Sequence, residues 1–312
     1  MPRIAGEEAL DEAVALLRSG NLVAVPTETV YGLAARADRD DAVAAIYRAK
    51  GRPSFNPLIV HVADFAVAQT LAETDERAEA LAAKLWPGAL TMVLPLRPGS
   101  GLAPAVTAGL ATVALRCPAH PLMRALLEAC DFPLAAPSAN RSGAISPTEP
   151  AHVAASLGNA VPLILDGGMC SAGLESTIVA LRAEGLWQIL RPGPIDRERI
   201  VAVLGAGNEA LDAASAIEAP GQLASHYAPS KPVRLEADDA APDEFLIGFG
   251  GVSGQTTLSA AGDLGEAAAR LYRCLHAADA SPLARIAVAP VPADGIGTAI
   301  NDRLQRAAAA TQ

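Results

Sequence analysis

Six stretches of this sequence gather polar side chains beside short apolar runs. Pro26-Thr27-Glu28-Thr29-Val30-Tyr31-Gly32-Leu33 follows a strand-like run at Asn21–Pro26 directly. In open α/β sheets ligands collect beyond the carboxyl ends of strands, and the Thr27 and Thr29 hydroxyls with the Tyr31 ring suit a pocket lining there. The same stretch also reads as a turn in which Gly32 supplies an unusual φ. Lys50-Gly51-Arg52-Pro53-Ser54-Phe55-Asn56-Pro57 sets two cations two residues apart on a Gly/Pro-restrained loop. Such a pair suits a polyphosphate, Lys as a point charge and Arg as a bidentate fork, or else it is a solvated loop. Thr112-Val113-Ala114-Leu115-Arg116 closes an apolar strand on an Arg. That Arg either clamps a substrate carboxylate or pairs with one of the 34 acidic residues.

Three further stretches complete the set. Ala135 to Gly143, with Ser146 beyond, offers hydroxyl, amide and backbone N–H groups. This is a phosphate cradle or ordinary Asx/Ser turn chemistry. Gly173-Leu174-Glu175-Ser176-Thr177-Ile178 opens a hairpin whose second strand ends in Arg191-Pro192-Gly193. Pro220 to Pro229 places His226 and Tyr227 between prolines, either as a site-facing segment or as a surface anchor. The familiar nucleotide motifs fail: there is no G-x-x-x-x-G-K-[ST] loop, and Gly248, Gly250 and Gly254 miss the dinucleotide spacing. No G-x-S-x-G elbow and no zincin-spaced His pair occurs, and His120 and His152 read as isolated.

The elements that must position these groups alternate between strand and helix up to about residue 205. Helices are expected over 7–19, from Asp40 or Asp41 through Tyr47, over 75–85, over Pro121–Cys130 and from Asp196 to Gly205. Strands are expected at Pro57–Val62, Ala89–Leu94, Thr112–Arg116, Leu134–Pro137 and Leu163–Asp166. A hairpin follows at Ser176–Leu181 and Leu186–Arg191. The pattern predicts an α/β catalytic domain over 1–207 with a twisted mixed sheet. Residues 208–232, rich in Ala, Gly, Pro and Ser, read as a linker. A small C-terminal α/β domain over 233–312 follows, with strands at Phe245–Phe249 and Arg285–Ala289 and helices at Leu264–His276 and Ile300–Ala310.

The 312 residues, 51% of them hydrophobic, are enough for two cores. No apolar run reaches the roughly 20 residues of a membrane helix, and the acidic N-terminus lacks a signal-peptide core. Cys117, Cys130, Cys170 and Cys274 are scattered and read as reduced thiols, so a cytoplasmic protein is expected. The net charge of −10 leaves neither part a basic nucleic-acid platform, although a local basic cleft stays open. Only three of the 24 basic residues are lysines, Lys50, Lys84 and Lys231.

Taken in chain order, PTETVYGL, Lys50-x-Arg52, Ser138-x-Asn140, Glu175-Ser176-Thr177-Ile178, Arg191-Pro192-Gly193 and His226-Tyr227-Ala228-Pro229 resemble the threonylcarbamoyl-AMP synthases. This is the YrdC-like family in its long form, with an extra C-terminal domain that is small, α/β and Rossmann-like. The resemblance implies an ATP-using enzyme, a nucleotidyltransferase. It would convert L-threonine, bicarbonate and ATP to threonylcarbamoyl-AMP and pyrophosphate for the threonylcarbamoyladenosine modification of tRNA. It implies Lys50 and Arg52 as the catalytic cations. Thr29, His61, Arg116, Ala136 and Ser176 fall on the threonine side. Asn56, Thr112, Ser138, Asn140, Ser146, Arg191 and Tyr227 join the two cations on the ATP side. Magnesium arrives with ATP; no organic cofactor and no protein-held metal is expected. The implied partners are downstream tRNA-modifying transferase proteins, with direct tRNA binding left open and no membrane. Leu223-Ala224-Ser225 departs from the family linker, which often has a basic or aromatic pair there. The alternative reading is a non-catalytic RNA-binding module.

Overall fold

A computed structural model describes residues 1–210, 218–221 and 227–309. Parts of the expected linker, with His226 and Leu223-Ala224-Ser225, and the expected helix end at Ala310 lie outside these residues.

The larger sheet has ten strands: β1 (Arg3–Ala5), β2 (Val23–Val25), β3 (Gly32–Arg36), β4 (Ile59–His61), β5 (Leu90–Pro95), β6 (Thr112–Arg116), β7 (Leu134–Ala135), β8 (Leu163–Leu165), β9 (Thr177–Leu181) and β10 (Trp187–Arg191). Their order is β1-β8-β2-β3-β7-β4-β6-β5-β9-β10, and parallel and antiparallel pairs are mixed. Helices α1 (Leu10–Arg18), α2 (Asp40–Lys50), α3 (Phe65–Leu71), α4 (Glu76–Leu85), α5 (Pro104–Thr107), α6 (Pro121–Ala129), α7 (Pro150–Leu157) and α8 (Arg197–Leu204) cover it. A second, all-parallel sheet joins β11 (Val233–Arg234), β12 (Glu244–Gly248), β13 (Thr256–Thr257) and β14 (Arg285–Val288) in the order β11-β14-β12-β13. Helices α9 (Leu264–Ala280) and α10 (Gly297–Ala309) pack on it.

Local chemistry explains most element starts. The Asp75 carboxylate accepts from the Arg77 and Ala78 N–H groups and opens α4, whose buried Ala78, Leu81, Ala82 and Leu85 follow helical spacing. Asp196 caps α8 by accepting from Arg199 N. At α2 the expectation needs correction: Arg39 holds the cap position, and Asp40 and Asp41 sit in the first turn. There they complement the positive end of the helix dipole. Helix α9 runs past His276 to Ala280 because the buried stripe continues through Ala278.

Gly32 does not have the unusual φ that a turn reading requires. It opens β3, and a Cβ there would stand 3.2 Å from the Ala136 Cβ, so its value is close backbone approach. Tyr31 likewise turns away from any pocket. It is buried in the core, and its hydroxyl donates to Gly168 O (2.7 Å) and accepts from Gly167 N (3.1 Å).

The two lobes share a core. Val30, Ile145, Leu174 and Tyr227 pack with the buried residues of α9, α10, β12 and β14. A Cβ on Gly173, whose φ is +68°, would lie 2.5 Å from Ala268 O, so the loop before β9 rests directly on α9. His152 and His276 stack across this junction with ring centroids 3.8 Å apart. Burial, aided by Arg273, lowers the His152 pKa to about 4. Burial, aided by His152, lowers His276 to about 4. These values lie below the ordinary 6.5, so the unfolded chain binds more protons between pH 4 and 6.5. Stability must fall as pH drops through that window. The urea midpoint is expected to be lower at pH 5 than at pH 7.5, and equal midpoints would contradict the neutral buried pair.

Candidate active site at the lobe junction

The strand register brings the expected groups to one place. Strands β4 and β6 run parallel with His61 opposite Arg116, so both side chains emerge at the same edge and on the same face. Strand β5 returns antiparallel to β6, with Thr91 opposite Arg116, and β9 starts beside the start of β5. Ser176 therefore arrives beside Thr91, their hydroxyls 2.7 Å apart. The hairpin then carries Arg191 back to Ile178.

Thr27, Thr29, Arg52, His61, Arg116, Ala136, Ser138, Glu175, Ser176 and Arg191 line a cavity of about 50 Å³. Pro220, Gly221 and Tyr227 lie over it. The linker covers the same sheet face further along, where Ala219 packs on Ile59, Val93 and Ala114. Lys50, Asn56, Thr112, Asn140 and Ser146 are not on this cavity's wall. Lys50 donates to the Ser138 and Asn140 carbonyls and so ties the end of α2 to the 138–140 loop. Ser146 donates to Glu175 Oε1 at 2.5 Å. Thr112 shares the cavity's sheet face but lies at the far end of β6, roughly 13 Å from Arg116 at strand spacing.

The electrostatics are unusual for so acidic a chain. Lys50, Arg52 and Arg191 are 2%, 7% and 4% exposed. Each donates to carbonyl, amide or hydroxyl oxygens, and among the described residues none has a carboxylate at ion-pair distance. Arg52 bonds Asn56 O, Asn56 Oδ1 and Pro57 O. Arg191 bonds Ser176 O, Ser176 Oγ and Pro220 O. Burial holds Lys50, with Arg52 nearby, well below the usual lysine range, and it lowers Arg52 to about 10. Charged groups buried without counter-ions are costly, and two of these three, Arg52 and Arg191, line the cavity.

Arg116 is different. It pairs with Glu28 at 2.7 Å and donates to Thr29 Oγ1 at 2.8 Å and to Gly88 O at 3.3 Å. Burial opposes ionisation of Glu28, but the Arg116 guanidinium overcomes it and holds the carboxyl below its usual range. A guanidinium has five N–H groups, and among the described residues these bonds engage one on each of the three nitrogens. Burial, with Arg116 beside it, lowers His61 to about 3, so its ring is neutral. Among the described residues, His61 Nδ1 and Asn56 Nδ2 have no hydrogen-bond partner although both are buried. Such groups call for an explanation, and a substrate is a direct one.

Sequence reasoning missed Glu28, although it stands in the middle of PTETVYGL, and it assigned no role to Glu175, Tyr272 or Arg303. Glu28 carried a signal, a carboxylate between two site-facing threonines. Tyr272 and Arg303 carried none, because their partners lie 97 and 128 residues away.

A ten-stranded mixed α/β sheet joined to a small parallel second lobe is the architecture of the YrdC-like class in its long form. Residues 15–193 match the Sua5_yciO_yrdC family, described as telomere recombination, and residues 195–309 match the threonylcarbamoyl-AMP synthase C-terminal domain. The threonylcarbamoyl-AMP synthase of Bacillus subtilis is 42% identical, with 95% of this chain and 92% of that protein aligned. Pyrococcus abyssi Sua5 complexed with L-threonine superposes with a TM-score of 0.88 at 36% identity, covering 98% of this chain and 97% of that one. A variant of it with neighbouring His and Tyr replaced by Ala gives 0.89 at 34% identity, covering 99% and 96%. The chain belongs to the threonylcarbamoyl-AMP synthase family. Among the described residues no helix is long and apolar enough to cross a membrane.

Proposed function

We infer that the protein is a nucleotidyltransferase that makes threonylcarbamoyl-AMP from L-threonine, bicarbonate and ATP, releasing pyrophosphate. The observation that carries this reading is the pairing of two kinds of cation in one cavity. Arg52 and Arg191, backed by Lys50, meet the polyphosphate, while Arg116 takes an amino-acid carboxylate. Threonine's amine attacks the bicarbonate carbon, and water leaves with the amine proton as the carbamate forms. The carbamate oxygen attacks the α-phosphorus in line and pyrophosphate leaves. The protein's contribution is positioning and charge stabilisation. The neutral His61 ring beside Arg116, with the Thr29 and Ser176 hydroxyls, reads the threonine amine or hydroxyl. Asn56, Thr112, Ser138, Asn140, Ser146 and Tyr227 complete the nucleotide side. The product is an anhydride that a tRNA-modifying transferase consumes.

Among the described residues no group of three His, Cys, Asp or Glu side chains could cage a metal. Glu175, on the cavity wall, is already bonded to Ser146, Tyr272 and Arg303. In our reading magnesium rides on the ATP phosphates and water, as it commonly does.

In our reading Pro220, Gly221 and Tyr227, on the cavity lining, move aside and return as substrates enter and products leave. Tyr227 sits at φ +64°, a conformation that costs a non-glycine residue about 1–3 kcal/mol.

Pyrophosphate release by purified protein with ATP, magnesium and bicarbonate tests the reading. Release must depend on both threonine and bicarbonate, and no threonine-dependent release from folded protein overturns it. A site that hydrogen-bonds the threonine hydroxyl rejects valine by up to ~10⁴-fold, whereas serine, lacking one methyl, is disfavoured by about 1–3 kcal/mol. Serine turning over as fast as threonine contradicts the assigned pocket.

A further inference from the structure

Among the described residues, Glu175 is the one acidic side chain on the wall of a cavity whose lining also holds Arg52, Arg116 and Arg191. A carboxylate there is adverse to an anionic ligand in two ways. It repels the phosphates, and it competes with them for Arg191, whose charge it already feels. Yet it makes no ion pair with Arg191. Its oxygens are held from the other side, by Arg303 Nε at 2.8 Å, Tyr272 Oη at 2.8 Å and Ser146 Oγ at 2.5 Å. Arg303 and Tyr272 both belong to the C-terminal lobe, on α10 and α9.

Arg303 is fully buried, and its guanidinium touches three parts of the site at once. It pairs with Glu175, next to Ser176. It donates to Pro192 O at 2.9 Å, next to Arg191. It lies 5.0 Å over the Tyr227 ring of the linker. Its remaining acidic neighbour is Asp302, at 2.5 Å. Burying a guanidinium is costly, and an apolar side chain would fill a helix–sheet core at lower cost. The three contacts give a reason for it that packing does not.

We propose that Arg303 is a positioning residue of the active site. From the C-terminal lobe it draws the Glu175 carboxylate away from Arg191 and seats Tyr227, so that Arg191 faces the polyphosphate. The C-terminal lobe thereby completes the nucleotide site without touching the reacting atoms. This rests on the synthase reading above, and the test separates the two.

The full-length protein is assayed for threonine-dependent pyrophosphate release. Absence of release in the wild type sinks the synthase reading. With release established, Arg303→Met frees Glu175 to capture Arg191. It should raise KM for ATP by about tenfold or more, with KM for threonine nearly unchanged, since Arg116 keeps its own partner Glu28. Arg303→Lys, which keeps the charge, should recover part of that loss. Adding Glu175→Gln to Arg303→Met removes the competitor and should return KM for ATP most of the way to the wild-type value. The double variant leaves no unpaired buried charge at this pair, so it carries the test even where Arg303→Met fails to fold. A folded Arg303→Met with wild-type KM for ATP overturns the proposal. So does an equal rise in both KM values, or a folded double variant whose KM for ATP stays tenfold raised.

Discussion

Arg52→Met is expected to lower kcat/KM for threonine-dependent pyrophosphate release by roughly 10²–10³-fold, about 3–4 kcal/mol, without lowering Tm. The two halves of this expectation have one cause. Arg52 is buried with only oxygen dipoles for partners, and burial alone accounts for most of its lowered pKa. The folded protein therefore bears a desolvation cost that only an anionic ligand offsets. Methionine fills similar space and relieves that cost, so the unliganded fold should be as stable as the wild type or more so. A variant that loses activity and Tm together would mean Arg52 is a structural residue. Undiminished activity would mean that the phosphates bind elsewhere.

Arg116→Met should behave in the opposite way. Its loss removes the fork for the threonine carboxylate, and kcat/KM for threonine is expected to fall by about 2–5 kcal/mol. It also leaves Glu28, largely buried, without the guanidinium that holds its carboxyl ionised, so stability at neutral pH should fall too. Because Glu28 is depressed in the fold, its contribution is present above the unfolded-state pKa and disappears as pH falls. The stability deficit of the variant should therefore shrink toward acid pH, which urea midpoints at pH 7 and pH 4 would reveal. Adding Glu28→Gln to Arg116→Met should restore stability but not threonine turnover. Recovery of both would show that Arg116 serves the fold alone.

Local pattern determined a good deal of this protein. The strand Thr112–Arg116, the hairpin around residues 182–185, the Asp75 and Asp196 caps and the alternation that makes an α/β sheet are all set by neighbours within one or two turns. The site-bearing segments were legible for the same reason, since each is a short cluster of polar groups after an apolar run. Strands β1, β3, β11 and β13 and helices α3, α5 and α7 escaped, and of these β1, β11, β13 and α5 are only two to four residues long. In β3, Gly-Leu-Ala-Ala-Arg is buried almost throughout and shows no alternation. What only the tertiary structure decided is which charges meet. Packing of the loop after β2 on β6 sets Arg116 against Glu28, 88 residues away, and among the described residues Arg52 and Arg191 have no carboxylate at ion-pair distance. The docking of a second lobe sets Arg303 against Glu175 across 128 residues. Composition supplies 34 acidic residues for 24 basic ones, and nothing local tells which cations will be left bare. That depends on burial, and burial is a property of the packed chain.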